Sequence, residues 1–271
     1  MLYTLLILLF LIIIITLIVT YFMYKHQKLP YTHPKLDFNT KDIPPIIYKT
    51  GPKKYKNLPR ELINNFKEIE LENPNYKIKY YDDDMCRSFI KKNFNEKILK
   101  TYDCLVPGSY KADLFRYCLL YVNGGIYGDL SQQYLVPMDK LVDREKDRLV
   151  LVSDEFDILC LKNGVQISFM AAVPRLSIFK DAINKVVYNV KHKKYGCSFL
   201  SPTGPNLFRK CLDKTRTKYR MELEQKGSKL CNMKTGKPMI ITKMKNHDVF
   251  INQTLKSRYF TKWWSGQIYN I

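Results

Sequence analysis

The chain has 271 residues, room for one good-sized domain with a short extra segment, or for two small domains. Its 45 Lys and Arg against 25 Asp and Glu leave a formal charge of +20, which suits phosphate-bearing partners. The lysines are spread along the whole sequence, and no helix-turn-helix, zinc-finger or RNA-recognition signature accompanies them, so no specific nucleic-acid binding is expected. The seven cysteines (86, 104, 118, 160, 197, 211 and 231) form no CxxC pair, and an odd number argues against a complete disulfide framework.

From Leu2 to Met23 there is no charged residue, and these 22 residues would span roughly 33 Å as a helix, enough for a bilayer core of about 30 Å. No small-residue cleavage site closes the run, which ends Thr20-Tyr21-Phe22-Met23. Residues 1–24 are therefore expected to be an N-terminal transmembrane helix, an uncleaved single-pass anchor. Lys25 and Lys28 follow it and no basic residue precedes it, which by the positive-inside rule favours a cytoplasmic C-terminal domain. The Asn252-Gln253-Thr254 sequon could be used only on the lumenal side. Residues 25–42, with Pro30 and Pro34, read as a stalk, and 43–271 as the folded domain.

Within that domain "IPPIIYKTG" opens with a short β-prone run stopped by Gly51-Pro52. Apolar residues at 58, 62, 63, 66 and 69 have helical spacing, and Asn73-Pro74 ends the run. "YKIKYY" alternates as a strand, and the acids 82–84 lead into a helix with a capping carboxylate. "GSYKADLFRYCLLYVNGG" gives the clearest helix, some 12 residues from Lys111, stopped at Asn123-Gly124 where a left-handed cap is wanted. "GIYGDL" resumes extended structure. "RLVLVSD" (148–154) reads as a buried parallel strand, 165–173 as another strand and 177–191 as a helix. Residues 213–238, charged and poor in apolar groups, are expected to be an exposed helix-and-loop excursion, and 238–244 a late strand. Strands alternating with helices predict an α/β fold with a mainly parallel sheet.

In open α/β sheets ligands sit beyond the carboxyl ends of the strands, and Asp129 stands just after the short strand at Ile126-Tyr127. Taken alone, such a carboxylate is more often a turn residue in water. Asp154, Glu155 and Asp157 cluster after "RLVLVS" in the same way, as ligand contacts or as a solvated loop. Asp113 and Arg116 share one helix face, which alone would make only an i,i+3 ion pair. No Ser-His-Asp or Cys-His arrangement, P-loop or zinc motif competes.

"IPPIIYKTG", "NPNYKIKYYDDD", "KADLFRYCLLYVNGGIYGDL" and "SPTGP", in that order, resemble the glycosyltransferases of family 32, whose sugar-binding region carries a D-x-D motif. This family includes yeast-type α-1,6-mannosyltransferases and inositol phosphoceramide mannosyltransferases. The resemblance runs from about Ile43 to Pro205 and implies a GT-A-like domain, Rossmann-like with helices flanking the sheet. It also implies retaining transfer of a mannose-type hexose from a nucleotide-sugar donor to a glycan or glycolipid acceptor, in a Golgi- or ER-type membrane. It assigns Asp113, Arg116 and Asp129 to the catalytic centre, and Gly124, Gly125, Tyr127, Asp154, Thr203, Gly204 and Trp264 to substrate contacts. The second acid of D-x-D would hold Mn²⁺ or Mg²⁺ with Asp129 against the donor diphosphate, but Ser131 stands there and lacks the charge. Asp129 with the donor's own phosphates could suffice for a hard cation, His247 and Asp248 could add a ligand, or Lys and Arg could take part of the cation's task. Two other readings stay open: a non-catalytic sugar- or nucleotide-binding relative, and a membrane-anchored basic module that binds polyanions.

Overall fold

The computed structural model describes residues 41–154, 164–242 and 259–270, together with Ile14 and Thr16. Apart from Ile14 and Thr16, the anchor over 1–24 lies outside the described residues, as do the stalk up to residue 40, Glu155, Asp157, His247, Asp248 and the sequon. Among the described residues no helix is long and apolar enough to cross a membrane.

The described residues build a mixed α/β fold on one sheet of nine strands, ordered β2-β1-β3-β6-β5-β7-β8-β9-β4. These are β1 Ile46–Thr50, β2 Lys77–Tyr81, β3 Gly125–Gly128, β4 Gln133–Tyr134, β5 Leu149–Asp154, β6 Gly164–Ala172, β7 Arg220–Lys226, β8 Lys229–Asn232 and β9 Pro238–Ile241. The helices are α1 Arg60–Glu72, α2 Asp83–Asn93, α3 Glu96–Cys104, α4 Gly108–Asn123, α5 Ser177–Lys191, α6 Pro205–Leu212 and α7 Tyr259–Trp264.

The sheet is mixed rather than mainly parallel. β1 runs parallel to β2 and β3, and β5 parallel to β7, but β6 is antiparallel to both β3 and β5. Only nine residues separate β5 from β6, fewer than the dozen or so that a parallel crossover needs. The excursion expected over 213–238 contains the strands β7 and β8, turned at Gly227 with φ +56°. Their apolar residues are sparse because one face is solvated, leaving Leu223, Leu230 and Cys231 to be buried.

Local chemistry sets the helix ends. Asp82 caps α2 by accepting from the Met85 N–H at 2.9 Å, as its position predicts. The single helix expected after it is two: Phe94 ends α2, and the Asn95 side chain caps α3 by accepting from Ile98 N–H at 3.2 Å. The core helix α4 starts three residues before Lys111 and is buried almost all round, from Tyr110 through Leu114, Phe115 and Tyr117 to Val122. Such a helix can lie only inside the layers, which places its polar residues Asp113 and Arg116 in the interior. Cys197 is disulfide-bonded, whereas Cys86, Cys104, Cys118, Cys211 and Cys231 are free thiols.

Candidate active site

The strand directions bring the carboxyl ends of β1, β3, β5 and β7 to one edge, with the start of the reversed β6 beside them. A cleft of about 600 Å³ opens there. Thr50, Asp129, Asp154 and Gln225 line it from those strand ends, Gln166 to Ser168 from β6, and Asp113 and Arg116 from α4. This is the edge at which open α/β sheets hold ligands.

Arg116 organises the floor. Its guanidinium is buried and donates to the Ile167 carbonyl at 2.6 Å. It pairs with Asp113 at 3.2 Å and with Asp129 at 3.3 Å, and its plane lies 4.4 Å from the centre of the Tyr127 ring. Burial works against its charge, but Tyr127, Asp129 and Asp113 outweigh this and hold its pKa above the ordinary value. Asp113 also accepts from the Thr203 hydroxyl at 2.8 Å, yet burial pushes its carboxyl up to about 6, against the pull of Arg116 and Thr203. Tyr127 donates or accepts with Thr50 Oγ1 at 3.0 Å, and burial raises its phenol above the normal range.

The turn after β3 is fastened at each residue. The Asp129 N–H donates to Ser168 O at 2.9 Å, and its carbonyl accepts from Lys49 Nζ at 3.0 Å. Leu130 packs among Leu58, Leu62 and Phe66 beneath α1. Ser131 is buried and its hydroxyl donates to the Thr242 carbonyl at 3.1 Å. The Gln132 carbonyl accepts from Asn65 Nδ2 at 3.0 Å, while its amide donates to Ser168. The Asp129 carboxylate is the part of the turn that faces outward, with 41% of its side chain exposed.

Of the expected site residues, Asp113, Arg116, Tyr127, Asp129, Ser131, Asp154 and Gly204 line this one cleft. Thr203 lies just behind it, fully buried, holding Asp113. Gly124 and Gly125 are not in the lining; they sit at the opposite end of β3 and serve the fold. A Cβ on Gly124, at φ +63°, would stand 2.7 Å from Pro174 N, and one on Gly125, at φ +92°, 2.7 Å from the Tyr48 ring. Trp264 is also outside the lining and is 70% exposed, edge-on to Trp263 and Phe260. Sequence reasoning missed Lys49, Gln132 and Ser168; a lysine inside the apolar run "IIYKT" was the available signal for the first. Burial lowers the Lys49 ammonium to about 7, against the opposing pull of Asp129.

The described lining holds four carboxylates, Asp83, Asp113, Asp129 and Asp154, to one cation, Arg116. Arg116 is already committed to Asp113, Asp129 and the Ile167 carbonyl. Among the described residues no three His, Cys, Asp or Glu side chains gather as a metal cluster.

Residues 59–148 match the family model described as the glycosyltransferase sugar-binding region containing the DXD motif. An uncharacterised glycosyltransferase of Acanthamoeba polyphaga mimivirus is 35% identical over 89 residues, 33% of this chain and 36% of that protein. An initiation-specific α-1,6-mannosyltransferase of Candida albicans is 28% identical over 93 residues, 34% of this chain and 24% of its own length. The chain therefore spans about a third and a quarter of these relatives. Among solved structures, the PaToxG glycosyltransferase superimposes with a TM-score of 0.46 at 16% identity, over 73% of this chain and 76% of that one. The segment that matches the family model contains α1 to α4, β3 and the whole Asp129 turn.

Proposed function

We propose that the chain is a membrane-anchored glycosyltransferase of GT-A-like fold that moves a mannose-type hexose from a nucleotide-sugar to a glycan or glycolipid acceptor, with retention. The observation that carries this reading is the chain Asp113–Arg116–Asp129, buried at one end and open to a cleft at the other. Asp129 presents its carboxylate on a turn fastened at each residue, which is the preorganisation that differential binding of a transition state needs. Arg116, itself paired with Asp113, holds that carboxylate in place from below, and the Thr203 hydroxyl fixes Asp113. Asp154 and Gln166 line the same cleft, where they can contact sugar hydroxyls.

The residues present fit a divalent cation held by one carboxylate, not an all-protein metal site. The Asp129 carboxylate, 41% exposed beside Arg116, can accept a cation, and Ser131, its proton given to Thr242, can offer only lone pairs. Mn²⁺ or Mg²⁺ bound at Asp129 and the donor phosphates would neutralise charge on the departing nucleoside diphosphate. The acid-rich lining supports such a partner, because a bare diphosphate would be repelled by it.

An anchor at residues 1–24 would place the domain at a Golgi- or ER-type membrane. The disulfide at Cys197 supports an oxidising compartment for the domain, against the orientation that Lys25 and Lys28 favour. A second reading, a relative that binds donor without transfer, draws support from Ser131. The two separate when the full-length protein in detergent is given a panel of nucleotide-sugars with and without Mn²⁺. Release of nucleoside diphosphate from one donor supports the transferase; binding without release supports the second reading. Absence of any donor binding would sink both.

A further inference from the structure

Lys49 lies in β1 with 0% of its surface exposed, on a strand whose neighbours Ile47 and Tyr48 are core. Its ammonium donates to two neutral oxygens, the Asp129 carbonyl at 3.0 Å and the Tyr134 hydroxyl at 3.2 Å, and lies 4.7 Å from the centre of the Tyr134 ring. Gly128 makes room for it, since a Cβ there would meet Nζ at 3.2 Å and the Tyr134 hydroxyl at 2.2 Å. Burying an ammonium without a carboxylate bonded to it is costly, so a lysine at this place is not explained by packing. Its location is informative: it meets the Asp129 turn from the sheet side, whereas Arg116 meets the same residue from the cleft floor.

We propose that Lys49 is a positioning residue for Asp129, fixing the turn through its main-chain carbonyl so that the carboxylate is presented to the cleft. This rests on the reading of Asp129 as the donor-binding group. The two contacts divide the work. Arg116 neutralises the carboxylate, while Lys49 restrains the backbone through the Asp129 carbonyl without occupying a carboxylate oxygen. A neutral apolar residue of similar length would fill the volume and leave the Asp129 carbonyl without its buried donor.

Calorimetric titration of GDP and of UDP, each with Mn²⁺, into full-length Lys49→Met, Lys49→Gln and Asp129→Ala tests it, with melting temperatures recorded alongside. Lys49→Met is expected to weaken nucleotide affinity by about 10-fold or more, the loss seen when a supporting hydrogen bond to a ligand group is removed. Lys49→Gln, which keeps an N–H donor, should recover most of that loss. If Lys49→Met fails to fold, Lys49→Gln carries the test by comparison with Asp129→Ala. Wild-type affinity in Lys49→Met, or a melting temperature loss with unchanged affinity, overturns the proposal while the site reading stands. Wild-type affinity in Asp129→Ala overturns the site reading and this proposal with it.

Discussion

Arg116 joins Asp129 across the gap between helix α4 and the end of strand β3, Nη1 to Oδ1 at 3.3 Å, while its other terminal nitrogen holds Asp113. A buried helix face and an open turn thus share one cation. That arrangement makes the site both a stability element and a charge balance, and its consequences can be separated by substitution.

Removing the cation should be costly. Arg116→Ala leaves Asp113 buried without its counter-charge and the Ile167 carbonyl without its donor, a loss of about 3–5 kcal/mol in chemical denaturation. Arg116→Lys keeps the charge but cannot span both carboxylates and the carbonyl, so it should lose less stability and still weaken donor binding. A stability for Arg116→Ala within about 0.5 kcal/mol of the wild type, the usual range for plain surface changes, would contradict the described floor.

Ser131→Asp restores the second acid but at a structural cost. The new carboxylate would face the Thr242 carbonyl where the hydroxyl now donates, so about 1–3 kcal/mol of stability should be lost. Mn²⁺ affinity, read by water-proton relaxation, should rise and transfer should become more dependent on it. Unchanged Mn²⁺ binding would show that residue 131 does not face the cation.

The acid limb of activity should belong to Asp113. Burial raises its folded pKa to about 6 from the usual carboxylate range, so the folded protein holds this proton more tightly than the unfolded chain. Its contribution to stability is therefore present at low pH and lost as pH rises from about 4 through about 6. The ionised form pairs with Arg116, so kcat/KM should rise over the top of the same window, and Asp113→Asn should remove that limb. An unaltered pH profile in Asp113→Asn would contradict this assignment.

Gly124→Ala distinguishes a fold role from a ligand role. The residue sits at φ +63° and ψ −154°, a region that is essentially for glycine, with Pro174 N at 2.7 Å from any added Cβ. A loss of about 1–3 kcal/mol is expected from the backbone alone, with donor affinity of the folded fraction unchanged. Loss of affinity at full stability would return the glycine to the site.

Much of the fold is legible in the sequence. The period of α1, the Asp82 cap, the buried helix α4 and the turn at Asp129 follow from local spacing and chemistry, which sequence displays. What was not readable depended on pairing between distant segments. β6 reads as a strand in any direction, and only the short connection from β5 forces it antiparallel. The sparse apolar pattern of β7 and β8 looks like loop because a half-solvated sheet edge needs few apolar residues. Gly124 and Gly125 were placed by family resemblance near the donor, but strand direction puts them at the far end. Lys49 gave a signal only as a charge in an apolar run, and its partner Asp129 lies 80 positions away.

We propose the Asp129 turn as a working donor site despite Ser131. The most direct measurement is the release of nucleoside diphosphate from nucleotide-sugars by the full-length protein, wild type beside Asp129→Ala, in Mn²⁺ and with the fold of both checked by circular dichroism. At least one donor should turn over in the wild type, with a fall of about 100-fold or more in the variant, the scale on which a preorganised electrostatic group acts. Equal turnover by the two proteins would contradict it.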